Sequence, residues 1–95
     1  MIYSFDLDGT LCTDEIGNYP RCLPIDERVE IVNALYDEGH TIMIVTGRHD
    51  RWKELTANQL KEWNVKYHIL ETGKPYANIY IDDKGISSDD FFNKL

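Results

Sequence analysis

Apolar residues alternate along the chain between short unbroken runs and longer stretches with helical spacing. Ile2-Tyr3-Ser4-Phe5 is a near-continuous apolar run, the pattern of a strand covered on both faces. Pro24-Ile25-Asp26 opens a helix that Asp26 can cap. Ile25, Val29, Val32 and Tyr36 then recur at helical spacing with Leu35 beside them, and Asp26, Glu27, Glu30 and Asp37 fall on the polar side. Gly39 suits the left-handed position just past the helix end. Thr41-Ile42-Met43-Ile44-Val45 is the clearest buried strand. Asp50 is expected to cap a second helix with the stripe Trp52, Leu55, Thr56, Leu60 and Trp63, which makes both tryptophans core residues.

The pattern is less regular further on. Residues 65–70 read as an edge strand, because Lys66 and His68 alternate with Tyr67 and Ile69. Glu71-Thr72-Gly73-Lys74-Pro75 is a loop, and Asn78-Ile79-Tyr80-Ile81 reads as a fourth strand running into Asp82-Asp83. Residues 88–95 form a short last helix with Phe91, Phe92 and Leu95 inward. Strands alternating with helices imply a small parallel sheet with right-handed crossovers, a Rossmann-like three-layer α/β/α sandwich. Ligands of such sheets bind beyond the carboxyl ends of the strands. Asp6 and Asp8, Thr46, and Asp82 and Asp83 each follow a predicted strand, and Lys74 lies in the loop after another. These scattered residues should therefore converge.

With 95 residues the chain is expected to be one domain, 1–95. The polar, turn-rich segment 12–23, with Gly17-Asn18 as a hairpin signal, reads as a short flap of two brief strands and not as a cap domain. The net charge of −7 argues against a nucleic-acid partner, though not against a small anion held by a metal and a few cations. There is no span for a membrane and no signal-peptide pattern, so a cytoplasmic location is expected. Cys12 and Cys22 lack zinc-like spacing with nearby histidines and read as free thiols of a reducing compartment.

Asp6 and Asp8 leave the end of a buried strand with one residue between them. Two such carboxylates need compensation, and a hard divalent cation such as Mg²⁺ suits them. The plainer alternative is a strand followed by an acidic turn.

Phe5-Asp6-Leu7-Asp8-Gly9-Thr10-Leu11 resembles the first motif of haloacid dehalogenase superfamily phosphatases. Ile42-Met43-Ile44-Val45-Thr46-Gly47-Arg48 resembles the second, Lys74 in Gly73-Lys74-Pro75 the third, and Ile79-Tyr80-Ile81-Asp82-Asp83 an Asp-Asp form of the fourth. All four stand in order and span nearly the whole chain, which makes it look like a capless member. The resemblance implies that Asp6 is the nucleophile and Asp8 the general acid and base. It implies that Mg²⁺ is held by Asp6, the Asp8 carbonyl and Asp83, with Asp82 behind it or in its place. Thr46 and backbone N–H groups near Leu7 and Gly47 would hold the phosphoryl oxygens, and Lys74 would neutralise them. Arg48 is expected to contact substrate, with lesser candidates in His49, Arg51, His68, Cys12, Tyr19 and Arg21. Superfamily ATPases and dehalogenases lack an aspartate at the Asp8 position, so its presence implies phosphate-ester hydrolysis or mutase-like phosphoryl transfer, and the latter usually needs a cap, which the sequence does not show.

The expected activity is thus a Mg²⁺-dependent phosphomonoesterase acting on a small phosphorylated metabolite, such as a sugar phosphate or nucleotide. A non-catalytic binding module and a phosphatase of macromolecular substrates are the alternatives. A flap too short to cover the site, together with the edge of a small sheet, leads to the expectation of a homo-oligomer.

Overall fold

The computed structural model describes residues 1–94. Strands β1 (Ile2–Asp6), β2 (Thr41–Val45) and β3 (Ile69–Glu71) form one parallel sheet in that order. The register sets Tyr3 beside Ile42 and Phe5 beside Ile44, with Ile44 beside Leu70 in turn. Side chains alternate across a strand, so these five share one face. Ile42 and Ile44 are fully buried there and Phe5 nearly so. The opposite face carries exposed Ser4 and Ile69 and half-buried Met43 and Val45.

Helices α1 (Asp26–Asp37), α2 (Lys53–Glu62) and α3 (Ser88–Asn93) complete the α/β fold expected from the pattern. Val29 and Val32 of α1, Leu60 of α2 and Phe92 of α3 join the buried cluster with Phe5, Ile42 and Ile44. Phe91 and Phe92 pack on Phe5 with ring centroids 5.7 and 5.9 Å away. Arg28 ties α1 to α3: it pairs with Asp89 at 2.7 Å and lies 4.8 Å over the Phe92 ring. Gly39, at φ +94°, ends α1 in the left-handed conformation anticipated for it. Leu95, expected to face inward, lies outside the described residues.

Several boundaries differ from expectation, each for a local reason. Ile25, not Asp26, holds the cap position of α1, and no side chain caps it. His49 caps the turn before α2 by accepting from the Arg51 N–H at 3.0 Å, while the Asp50 carboxylate accepts from the Thr72 hydroxyl. The flap has two isolated bridges, Asp8–Cys12 and Cys12–Pro24, and a 3-10 turn at Tyr19–Arg21 instead of two strands. The third strand begins at Ile69, because residues 65–68 serve as a connection anchored to α1. There the Lys66 N–H donates to Asn33 Oδ1 and the Lys66 ammonium pairs with Asp37.

The largest correction is the fourth strand. Residues 78–81 form no strand, and Ile79 and Ile81 are 75% and 92% exposed. The Tyr80 hydroxyl donates to the Pro75 carbonyl at 2.6 Å and accepts from the Ala77 N–H at 3.0 Å. Side-chain to backbone bonds of this kind compete with a sheet ladder, and here they curl the segment onto itself.

Candidate active site

Asp6, Asp8, Thr46 and Lys74 converge as expected, and Asp82 and Asp83 do not. Asp6, Asp8, Thr46, Gly47, Arg48 and Lys74 line one cavity of about 370 Å³, together with Tyr19, Tyr76, Ala77 and Tyr80. That volume lies at the small end of ligand pockets.

Asp6 terminates β1. Beyond it the chain turns tightly: Thr10 and Leu11 N–H groups donate back to the Leu7 carbonyl, and Gly9, at φ +80°, permits the turn. Leu7 is fully buried, which anchors the two aspartates on either side of it. Burial raises the pKa of Asp6 and the nearby Asp8 charge adds to this, against the lowering effect of Lys74. The Lys74 ammonium lies 3.8 Å from Asp6 Oδ1 and 4.2 Å from the Tyr80 ring centroid.

Lys74 reaches that position because its loop is laced to the loop after β2. The Thr46 N–H donates to the Glu71 carbonyl at 2.9 Å, the Lys74 N–H to the Thr46 carbonyl at 3.0 Å, and the Gly73 N–H to the Arg48 carbonyl at 2.8 Å. Gly73 adopts φ +75°, and a Cβ there would lie 3.2 Å from Asp50 Oδ1. Only glycine fits both conditions comfortably. The buried Thr46 hydroxyl accepts from the Arg48 N–H at 3.1 Å, which leaves its own proton for another acceptor.

Arg48 is not placed as a group that reaches for substrate. It is 1% exposed and grips Asp8 at two points, Nη2 to Oδ1 at 2.7 Å and Nε to Oδ2 at 3.0 Å. Nη1 donates to Thr56 at 3.1 Å and Gln59 at 2.6 Å, and the guanidinium stacks 4.4 Å over Tyr19. Burial works to lower its pKa, but hydrogen bonds to Asp8 and the Asp8 charge outweigh that, leaving it raised. A planar fork with fixed donors suits this position in a way a lysine would not.

Asp82 and Asp83 are not brought to the pocket. Both are exposed, and Asp82 accepts from the Lys84 and Gly85 N–H groups, which lower its pKa. They do not line it because residues 78–81 do not pair with the sheet, although the Lys74 charge still acts on Asp82. Tyr19, Gln59, Thr56 and Tyr80 are the site residues that sequence reasoning underweighted. The available signal was a polar residue on the apolar stripe of α2, Thr56, with Gln59 three residues on.

A family model described as haloacid dehalogenase-like hydrolase matches residues 3–92. No curated protein gives a significant match. A crystal structure of a protein from Vibrio cholerae resembles this chain with a TM-score of 0.82 at 24% identity, over 96% of this chain and 86% of that one. A chain of the Pnkp1/Rnl/Hen1 complex matches with a TM-score of 0.66 at 22% identity, over 86% of this chain and 30% of that one. A chain of the Pnkp1/Rnl/Hen1 RNA repair complex matches with a TM-score of 0.65 at 19% identity, over 99% of this chain and 30% of that one. At these identities the likeness is one of fold.

Proposed function

The chain belongs to the haloacid dehalogenase-like hydrolases, and from that premise we propose that it is a Mg²⁺-dependent phosphomonoesterase for a small phosphorylated metabolite. The observation that carries the reading is the Asp6–Lys74 pair, set in one pocket with Thr46 and Gly47.

Hydrolases of this kind generally use Mg²⁺. The donor chemistry fits: Mg²⁺ takes hard oxygens, is held by one or two carboxylates, and leaves the remaining positions to water and substrate phosphate. Asp6 supplies such a carboxylate, half exposed and faced by an ammonium at 3.8 Å. Asp6, the Asp8 carbonyl and, if residues 78–83 approach the sheet, Asp83 or Asp82 would hold the ion. Bound there, Mg²⁺ would neutralise charge on the transferring phosphoryl group.

The chain's own residues do the rest. Asp6 attacks phosphorus, forming an aspartyl-phosphate as the ester P–O bond breaks. Asp8, once protonated on the oxygen turned out of the Arg48 fork, delivers that proton to the departing oxygen and becomes a carboxylate, then takes one from the water that hydrolyses the acyl-phosphate and regenerates Asp6. Arg48 sets the direction of the Asp8 carboxyl group, and one oxygen must turn out of the fork for proton transfer. Thr46 and backbone N–H groups near Leu7 and Gly47 receive the phosphoryl oxygens, and Lys74 balances their charge.

A net charge of −7 favours a small metabolite over a nucleic-acid end. One similar structure belongs to an RNA repair complex, but that 19% identity likeness concerns fold. Hydrolysis of an aryl phosphate should require Mg²⁺ and cease in EDTA. Ca²⁺, which takes more ligands in looser geometry, should not restore it. Full turnover in EDTA would remove the metal from the account. Lys74→Ala should lower kcat roughly 10²-fold, the scale of losing one preorganised electrostatic contact. An unchanged kcat would return Lys74 to an ordinary surface lysine. A panel of sugar phosphates, nucleotides and phosphopeptides, read by phosphate release, tests the substrate class. Turnover confined to phosphopeptides would exclude the small-metabolite reading.

A further inference from the structure

The proposed hydrolysis uses neither thiol, yet both sulfurs sit against one of its carboxylates. Cys12 and Cys22 are free, buried, and directed at the same atom. Their Sγ atoms lie 3.6 and 3.5 Å from Asp8 Oδ1, and the three donor atoms all lie within 4.8 Å of one another. We propose that Asp8, Cys12 and Cys22 form a site for one thiophilic divalent cation such as Zn²⁺, distinct from the Mg²⁺ position.

The geometry is close to what such an ion requires. With Zn–S about 2.3 Å and Zn–O about 2.0 Å, a tetrahedral centre has S···O edges of about 3.5 Å and an S···S edge of about 3.8 Å. Both S···O edges are already present, and the sulfurs need at most a modest approach. The charge also closes. Two thiolates and one carboxylate carry three negative charges, and the ion and the adjacent Arg48 guanidinium carry three positive ones. Binding replaces two S–H bonds with two S–metal bonds and releases two protons to solvent. A disulfide would instead require the sulfurs to close to about 2.05 Å and an oxidant to accept two electrons.

Access is through the pocket, whose wall includes Asp8 with its side chain 19% exposed. The ion takes Oδ1, the oxygen that Arg48 Nη2 holds at 2.7 Å, while Nε keeps Oδ2. Thiolate ligands select zinc or cadmium over Mg²⁺. Pinning Asp8 in this way should inhibit hydrolysis, a consequence that rests on the proposed role of Asp8; the site itself does not.

The test is titration of the reduced full chain with Cd²⁺. The expected result is one ion bound, a thiolate-to-cadmium charge-transfer band, and two protons released per ion. Zn²⁺ should displace the Cd²⁺ and excess Mg²⁺ should not. Cys22→Ser should weaken Cd²⁺ binding at least about tenfold and reduce the band. Absence of the band, or Cd²⁺ binding by Cys22→Ser equal to wild type, would overturn the site. Should Cys22→Ser fail to fold, the wild-type band and proton count decide alone. Aryl-phosphate hydrolysis is read in parallel. A band with undiminished activity in Zn²⁺ would keep the site and remove Asp8 from the reaction.

Discussion

Asp6→Asn is expected to abolish turnover while making the folded chain more stable at neutral pH. The two effects have one origin. Asparagine is nearly isosteric but its amide cannot form an acyl-phosphate, so hydrolysis should fall to background. The stability change follows from the raised pKa of Asp6, where burial outweighs the opposing pull of Lys74. A carboxyl group with a raised folded-state pKa stabilises the fold below its unfolded pKa, and that contribution is lost as pH rises through the folded value. At neutral pH the ionised Asp6 is therefore a net cost, which the amide removes. The urea midpoint of Asp6→Asn should exceed that of wild type at pH 7, and the difference should vanish near about pH 3, where both states are protonated. A variant with wild-type turnover would exclude the covalent route. A midpoint lowered at pH 7 would show that the Lys74 contact outweighs desolvation.

Arg48→Met should destabilise the chain by about 3 kcal/mol. Removing one member of a buried ion pair leaves the other uncompensated, at a cost of roughly 3–5 kcal/mol. The lower end applies because the Asp8 side chain is 19% exposed and can recover some hydration. Thr56 and Gln59 lose their donor, and Tyr19 loses the cation over its ring. For a domain of this size the loss corresponds to a drop in Tm of roughly 12–24 °C. The double variant Arg48→Met with Asp8→Asn should lose clearly less than the sum of the single changes, because the two residues interact directly. Denaturation curves for the three variants test this. A drop below about 1 kcal/mol for Arg48→Met would mean that the fork contributes little to the fold.

Arg48 also shows where sequence reasoning reached its limit. It directly follows Thr46-Gly47 at a strand end, where a cation reads as a substrate contact. Its burial depends on Asp8, Tyr19, Thr56 and Gln59, which are far apart in the chain and meet only in the fold. β1, β2 and the three helices were legible because their apolar spacing is strong and locally complete. The convergence of Asp6, Asp8, Thr46 and Lys74 followed from strand ends in a parallel sheet, a rule that needs no tertiary detail. Residues 78–81 carry equally apolar side chains, but their outcome is decided by Tyr80 bonding to Pro75 and Ala77, which periodicity cannot register. The same holds at the start of β3, where anchoring of Lys66 to Asn33 and Asp37 takes residues 65–68 out of the strand.

The central claim is that Asp6 becomes covalently phosphorylated during turnover, and hydroxylamine trapping addresses it directly. Hydroxylamine attacks acyl-phosphates and leaves a hydroxamate on the carboxyl group. Incubated with an aryl phosphate, Mg²⁺ and hydroxylamine, the chain should lose activity and carry a hydroxamate at Asp6 in peptide mass spectra, and should do neither without substrate. Sustained phosphate release with Asp6 unmodified would contradict the account.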